Sequence, residues 1–297
     1  MLLGFKEYEI QAQHLAIALG LTYARVRVHY FPDGECKVTL PEKLPAHVVV
    51  CLSLDHPNEK LVELLLAAST ARQLGAQRLT LVAPYLCYMR QDTAFAAGEA
   101  VSQPIIGRFL AGLFDDVITV DPHLHRTHKL SDAVPATHAV AVSATLIMHD
   151  FLHRYCEVHS ETHGDTILLG PDSESKQWVS AIAEGSALTY GVAHKQRLGD
   201  RDIQVSLPDL ELTGKAVILV DDVISSGETI AIATQACFER GASRVDVLVT
   251  HPLFAQGAIE RLQQVGVGEI WSTDSIIHPS NCISLTHLLA EAVHGIV

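Results

Sequence analysis

An apolar run, Val217-Ile218-Leu219-Val220, passes directly into Asp221-Asp222-Val223-Ile224-Ser225-Ser226-Gly227-Glu228-Thr229. The first part reads as a buried strand and the small hydroxylated residues after it as a turn that opens a helix. Such a turn can surround a phosphate with backbone N–H groups and Ser/Thr hydroxyls, while the two aspartates accept hydrogen bonds from neighbouring hydroxyls. The segment is therefore suited to a phosphorylated sugar. The plainer reading is a strand leaving the core into a polar turn, with both aspartates as helix caps. One aspartate is easily accounted for that way; two in succession are harder.

The same alternation recurs along the chain. Strands are expected at Val48–Leu52, Leu79–Val82, Val117–Val120, Ile167–Leu169, Val217–Val220 and Val245–Val249. Helical spacing appears between them: Leu61, Leu64, Leu65, Ala68 and Ala71 precede Gly75, a left-handed helix stop, and Ser102 with Pro104 opens a helix carrying Ile105, Ile106, Phe109, Leu110 and Leu113. Strands alternating with helices predict an α/β fold with mostly parallel sheets flanked by helices. Length bears on the number of units, because 297 residues exceed one typical domain. An internal echo supports duplication, since Gly75-Ala76-Gln77-Arg78 and Gly241-Ala242-Ser243-Arg244 each join a helix to a strand. Two similar halves are expected, residues 1–140 and 141–297, with the boundary near Pro135–Ser143.

Composition narrows the partners. A net charge of −13 with only 21 Lys and Arg argues against a nucleic-acid partner, since neutralising a phosphate backbone needs clustered cations. A small phosphorylated ligand accompanied by a divalent cation remains compatible. No apolar run approaches the roughly 18 residues of a membrane span, and Met1–Ile10 carries Lys6, Glu7 and Glu9 where a signal peptide has its apolar core. The six cysteines are scattered, without a metal-binding or redox pair. A reduced, cytoplasmic setting is expected.

Polar residues gather where the predicted strands end: Tyr85, Tyr88, Arg90, Gln91 and Asp92 after the second, Asp121 and His123 after the third, Asp172 after the fourth, Asp221 and Asp222 after the fifth. Open parallel sheets bind ligands beyond the carboxyl ends of their strands. His123 and Asp172 suit a hard divalent cation that keeps waters and bridges phosphates. With 17 histidines in the chain, a surface histidine tract competes, and His125 and His128 are read as solvated or structural. His149-Asp150-Phe151-Leu152-His153 imitates a zinc-protease helix but has Asp where Glu is needed and is read as a helix face. Lys195 and Arg197 sit one residue apart in an extended stretch, where they can clamp a transferring polyphosphate; an exposed basic loop is the alternative.

These motifs, in this order, resemble the ribose-phosphate pyrophosphokinase family over almost the whole chain. The loop at 221–229 resembles the phosphoribosyl diphosphate loop shared with type I phosphoribosyltransferases. Phe31-Pro32-Asp33-Gly34-Glu35 resembles the family's nucleotide loop, which reaches the ATP site of a neighbouring subunit, and Arg90-Gln91-Asp92 its nucleotide-binding segment. Asp121-Pro122-His123 is similar to its metal and ATP motif, Gly170-Pro171-Asp172 to its second metal motif, and Lys195-Gln196-Arg197 to its mobile catalytic loop. The resemblance implies two phosphoribosyltransferase-like domains, the first carrying nucleotide loops and the second the sugar-phosphate loop. It implies transfer of a diphosphoryl group from ATP to ribose 5-phosphate, with Mg²⁺ as cofactor, in a homo-oligomer (dimer or higher).

The implied roles fall on named residues. Phe31, Asp33, Glu35, Arg90, Gln91, Asp92 and His123 would hold ATP; His123 and Asp172 would hold Mg²⁺; Lys195 and Arg197 would be catalytic. Asp221, Asp222, Ser225, Ser226, Gly227, Glu228 and Thr229 would bind ribose 5-phosphate. Three departures stand out: Glu228 where Gly is usual, Glu174-Ser175 in place of two small residues, and Thr93–Gly98 in place of a long basic segment. Glu228 matters most, because a carboxylate beside a phosphate is repulsive unless it turns outward or meets a cation. The alternatives are a phosphoribosyltransferase, a diphosphokinase acting on another sugar phosphate, and a non-catalytic regulatory family member.

Overall fold

The computed structural model describes the chain except residues 125, 164, 185–187, 198–202 and 297, and gives the backbone alone for residues 195–197 and 203–205. Two compact units divide it: residues 1–143 with 275–277 and 285–297, and residues 144–274 with 278–284.

In the first unit the strands are β1 (Leu2–Gly4), β2 (Tyr23–Arg25), β3 (Arg27–Tyr30), β4 (Cys36–Thr39), β5 (His47–Cys51), β6 (Arg78–Val82), β7 (Asp116–Val120) and β8 (His138–Val142). Helices α1 (Glu9–Ala18), α2 (Pro57–Gln73), α3 (Ser102–Leu113) and the short α4 (Leu130–Ala133) lie between them. Six strands form one parallel sheet in the order β2-β1-β5-β6-β7-β8, and β3 with β4 forms a separate antiparallel hairpin. Proline at its start and Gly75, at φ +97°, just beyond its end delimit α2. Gly107 on α3 is required by packing, because a Cβ there would sit 1.8 Å from the carbonyl oxygen of Ala133.

The second unit opens with α5 (Thr145–Val158) and α6 (Ser160–His163), followed by β9 (Thr166–Gly170), α7 (Lys176–Ala183), β10 (Thr189–Val192), β11 (His194–Arg197) and β12 (Ile203–Ser206). Then come β13 (Ala216–Val223), α8 (Glu228–Glu239), β14 (Arg244–His251), α9 (Ala258–Gln264), β15 (Ile270–Thr273) and β16 (Asn281–Ile283). Its parallel sheet runs β10-β9-β13-β14-β15-β16, and β11 with β12 forms an antiparallel hairpin. Both sheets therefore share one strand order, each with a hairpin inserted between the second and third sheet strands. The last helix, α10 (Thr286–His294), packs on α1, β7 and β8 of the first unit.

Inward-facing Ile167, Leu169, Val217, Leu219, Val245, Val247 and Val249 alternate along β9, β13 and β14 and pack against Ile230, Ala233 and Cys237 of α8. The Gly-Ala-x-Arg echo has a structural cause in both units. Arg78 opens β6 and pairs with fully buried Asp116, which also binds Thr80 and His138; Arg244 opens β14 and pairs with fully buried Asp246, which also binds His163. Each arginine thus ties the amino edge of its sheet to a buried carboxylate, leaving the opposite, carboxyl edge for ligands.

Candidate active site

In the second sheet the strand order reverses between β9 and β13, and crevices of this kind, beyond the carboxyl ends of strands at a switch point, are where α/β sheets bind ligands. Asp172 follows β9, and Asp221 and Asp222 stand just before Val223, the last residue of β13. Burial, then the charge of Asp222, then that of Asp172, raise the Asp221 carboxyl well above the ordinary range. The fold therefore brings Asp172, from a distant part of the chain, close enough to the adjacent pair Asp221-Asp222 for its charge to act on Asp221. Neither Asp221 nor Asp222 caps the helix: each accepts a hydrogen bond from the next backbone N–H, at 3.0 and 2.8 Å, and the residue preceding α8 is Gly227. The reading of the pair as helix caps is thereby corrected.

Gly227 adopts φ +72°, a conformation that costs a residue with a Cβ, and its turn is braced from α9 and the segment before it. Ala255 N–H donates to the Ser225 carbonyl and the Arg261 guanidinium donates to the Ser226 carbonyl. Glu228 is the first residue of α8 and is exposed, and the Arg261 cation lies on the same turn. Ser175 of the second departure has a structural reason: it is fully buried and its hydroxyl donates to the Asp172 carbonyl at 2.6 Å. Gly170 makes room for that hydroxyl, since a Cβ would lie 2.3 Å from it. The Asp172 carboxylate accepts from Glu174 N–H at 3.0 Å, which orients it.

In the first unit, Arg90 is exposed beyond β6, while Gln91 and Asp92 are half-buried. Asp92 accepts both the guanidinium and the backbone N–H of Arg126, at 2.8 and 2.9 Å. Its burial would raise the carboxyl, but these Arg126 contacts outweigh burial and lower it. Gln103 of α3 donates to the Met89 carbonyl and accepts from Thr127, and its backbone N–H donates to the Gln91 carbonyl. The loops after β6 and β7 are therefore joined into one surface. Tyr88 and Asp121, at the ends of these strands, hold φ of +59° and +33°, the kind of backbone strain that collects at functional sites. His123 is half-buried on the second loop.

Phe31, Asp33 and Glu35 are exposed at the tip of the β3–β4 hairpin, where Asp33 accepts from Glu35 N–H and Gly34 takes φ +89°. Lys195 and Arg197 lie on the extended β11, paired with Val205 and Ile203, and their side chains lie outside the described residues, as does His125. His149 and His153 occupy one face of α5, where His149 binds the Ile182 carbonyl. Sequence reasoning missed Arg126, Gln103 and Arg261. An acidic residue closing Arg90-Gln91-Asp92 was the one signal that a cation should face it. Among the described residues, no group of three or more His, Cys, Asp or Glu side chains forms a ready metal cage.

Two like-ordered parallel sheets flanked by helices define an α/β protein of the phosphoribosyltransferase-like fold. A crystal structure of phosphoribosylpyrophosphate synthetase from Mycobacterium smegmatis has the same fold, with a TM-score of 0.83 at 23% identity, covering 100% of this chain and 98% of its own. A family model for the N-terminal domain of ribose phosphate pyrophosphokinase matches residues 1–114, and one for a phosphoribosyl synthetase-associated domain matches residues 207–297. The ribose-phosphate pyrophosphokinase of Methanopyrus kandleri is 32% identical over 285 residues, 96% of this chain and 95% of the relative. That of Pyrococcus furiosus is 33% identical over 260 residues, 88% and 89% of the two chains. The chain belongs to the ribose-phosphate pyrophosphokinase family of enzymes.

Proposed function

We propose that this protein transfers the β,γ-diphosphoryl group of Mg-ATP to the anomeric hydroxyl of ribose 5-phosphate, giving phosphoribosyl diphosphate and AMP. The observation that carries this reading is the placement of Asp221, Asp222 and Asp172 at the switch point of the second sheet, just before the 225–229 turn that opens α8. Asp221 and Asp222 receive the ribose hydroxyls. The 225–229 turn takes the 5-phosphate on its backbone N–H groups and the hydroxyls of Ser225, Ser226 and Thr229, at the amino end of α8.

The anomeric oxygen attacks the β-phosphorus in line, the bond from that phosphorus to the α-phosphate oxygen breaks with its electrons leaving on AMP, and the proton of the attacking hydroxyl passes to solvent water. Such transfers need positioning and charge neutralisation more than covalent help. Lys195 and Arg197 stabilise the charge on the transferring group, and Arg90 and Gln91 hold the nucleotide. Asp92 positions that segment through Arg126. The imidazole of His123 in the first unit and the carboxylate of Asp172 in the second would each offer Mg²⁺ a ligand suited to a hard divalent cation. When bound, the ion neutralises polyphosphate charge. Phe31, Asp33 and Glu35 act on a neighbouring subunit's nucleotide in a cytoplasmic homo-oligomer of two or more copies.

A second reading, a diphosphokinase for another sugar phosphate, is favoured by one observation: the exposed Glu228 carboxylate at the start of α8. Incubating the protein with Mg-ATP and a panel of sugar phosphates separates the two. AMP release with ribose 5-phosphate above the other sugars supports the first reading. AMP release with a different sugar and none with ribose 5-phosphate replaces it by the second.

A further inference from the structure

The first unit carries a cavity that the proposed chemistry does not use. It measures about 530 Å³ and is lined by Lys6, Arg25, Arg27, Tyr30 and Glu63, with Glu7 and two valines. Lys6 lies just beyond β1 and Arg25 ends β2, so the cavity opens at the carboxyl edge of the first sheet, the edge where parallel sheets receive ligands. Its size falls within the range of small-molecule sites, roughly 300–1,000 Å³.

Two features of its lining point to a ligand. Three cations, Lys6, Arg25 and Arg27, are part of the lining; Arg25 is 3.5 Å from Glu9, and all three are exposed. Glu63 of α2 is 3% exposed, and its two carboxylate oxygens differ. Oε1 accepts the hydroxyl of Tyr30, while Oε2 is buried without a hydrogen-bond partner among the described residues. Buried polar atoms are satisfied in the great majority of cases, so an orphaned carboxylate oxygen in a cavity wall is a place for a donor. Burial also raises the Glu63 carboxyl.

We propose that this cavity binds a small organic phosphate that also carries a hydroxyl or amino donor. The phosphate meets Lys6, Arg25 and Arg27, and the donor meets Glu63 Oε2. Inorganic phosphate alone leaves Oε2 unsatisfied and binds less well. Glu63 holds Tyr30, which immediately precedes the exposed 31–35 tip of the hairpin, so the occupied cavity stiffens the base of that tip.

The site is independent of the sugar-phosphate turn at 225–229 and is tested by counting binding sites. Isothermal titration with glycerol 3-phosphate is compared with inorganic phosphate and with glycerol, using the wild-type protein, the Lys6→Gln/Arg27→Gln double variant and Glu63→Gln. The wild type is expected to bind glycerol 3-phosphate at least about tenfold more tightly than inorganic phosphate at one site per chain, because a charge-assisted hydrogen bond is worth about that factor. The double variant loses that site, and Glu63→Gln loses the preference for the organic phosphate. Circular dichroism spectra matching the wild type's establish that both variants are folded; these substitutions lie on exposed positions or preserve the size of Glu63. Unchanged titrations in the folded double variant overturn the proposal, as does equal affinity for the two phosphates in the wild type.

Discussion

Asp116→Ala and Asp115→Ala remove neighbouring aspartates that both pair with arginine, yet the costs should differ by about twofold or more. Asp116 is fully buried and takes four contacts: Arg78 at 2.8 and 3.1 Å, Thr80 at 2.7 Å and His138 at 2.7 Å. Removing it leaves Arg78, Thr80 and His138 without their shared acceptor. Breaking a buried pair typically costs 3–5 kcal/mol, and because Arg78 keeps about a third of its side chain in water the lower end applies, about 3 kcal/mol. Asp115 pairs with Arg72 at 2.6 Å, but each side chain is 35% exposed. Water therefore replaces much of that pair, and with the hydrogen bond that Asp115 accepts from Leu79 N–H the loss is about 1 to 1.5 kcal/mol.

Urea unfolding of the two variants beside the wild type measures both costs, and pH supplies a second handle. Burial raises the Asp116 carboxyl, but the hydrogen bonds from Arg78, Thr80 and His138 and the Arg78 charge outweigh it and lower it. A carboxyl lowered on folding stabilises above its unfolded value, about 3.9, and loses that contribution as pH falls through the folded value. The gap between wild type and Asp116→Ala should thus be level above about pH 5 and shrink in stronger acid. Equal costs for the two variants, or a gap that widens in acid, would refute the assignment of Asp116 as a buried anchor. The anchor matters to function because Asp116 begins β7, whose far end delivers Asp121 and His123.

Asp221→Asn acts in the opposite sense. Its carboxyl is raised on folding, so ionising it costs stability as pH rises from the unfolded value through the folded one; the variant should melt above the wild type at pH 7, match it below about pH 3.9, and show a higher KM for the sugar phosphate. Thermal melts at the two pH values, with steady-state kinetics, check it. Gly107→Ala places a methyl 1.8 Å from the Ala133 carbonyl, and urea unfolding should show a loss of at least about 2 kcal/mol. Lys195→Ala should retain ATP binding by titration yet turn over at least about tenfold more slowly; wild-type turnover removes the proposed role.

Much of the fold was legible because buried parallel strands announce themselves as short aliphatic runs. Val48–Leu52, Leu79–Val82, Val117–Val120, Ile167–Leu169, Val217–Val220 and Val245–Val249 all coincide with sheet strands. The β3–β4 hairpin and the edge strands β8 and β16 escaped: Arg27–Tyr30 is mixed polar, Asn281–Ile283 is only three residues long, and His138–Val142 interleaves alanine with valine on a half-exposed edge. The return of α10 to the first unit is a long-range packing event with no local mark. Within the site, adjacency made Asp221 and Asp222 legible and the strand ends made Asp172 so. Arg126 and Gln103 were not, because their partners are set by how two loops fold together across 34 and 14 residues. Arg261 supports the 226 carbonyl from a different helix, 35 residues away.

The central claim is the transfer of two phosphoryl groups together to ribose 5-phosphate. Phosphorus NMR of the protein with Mg-ATP and ribose 5-phosphate tests it most directly. AMP and a sugar diphosphate ester are expected in equal amounts, with the ATP signals falling in step. Accumulation of ADP, or an unchanged spectrum over many turnover times, would contradict it.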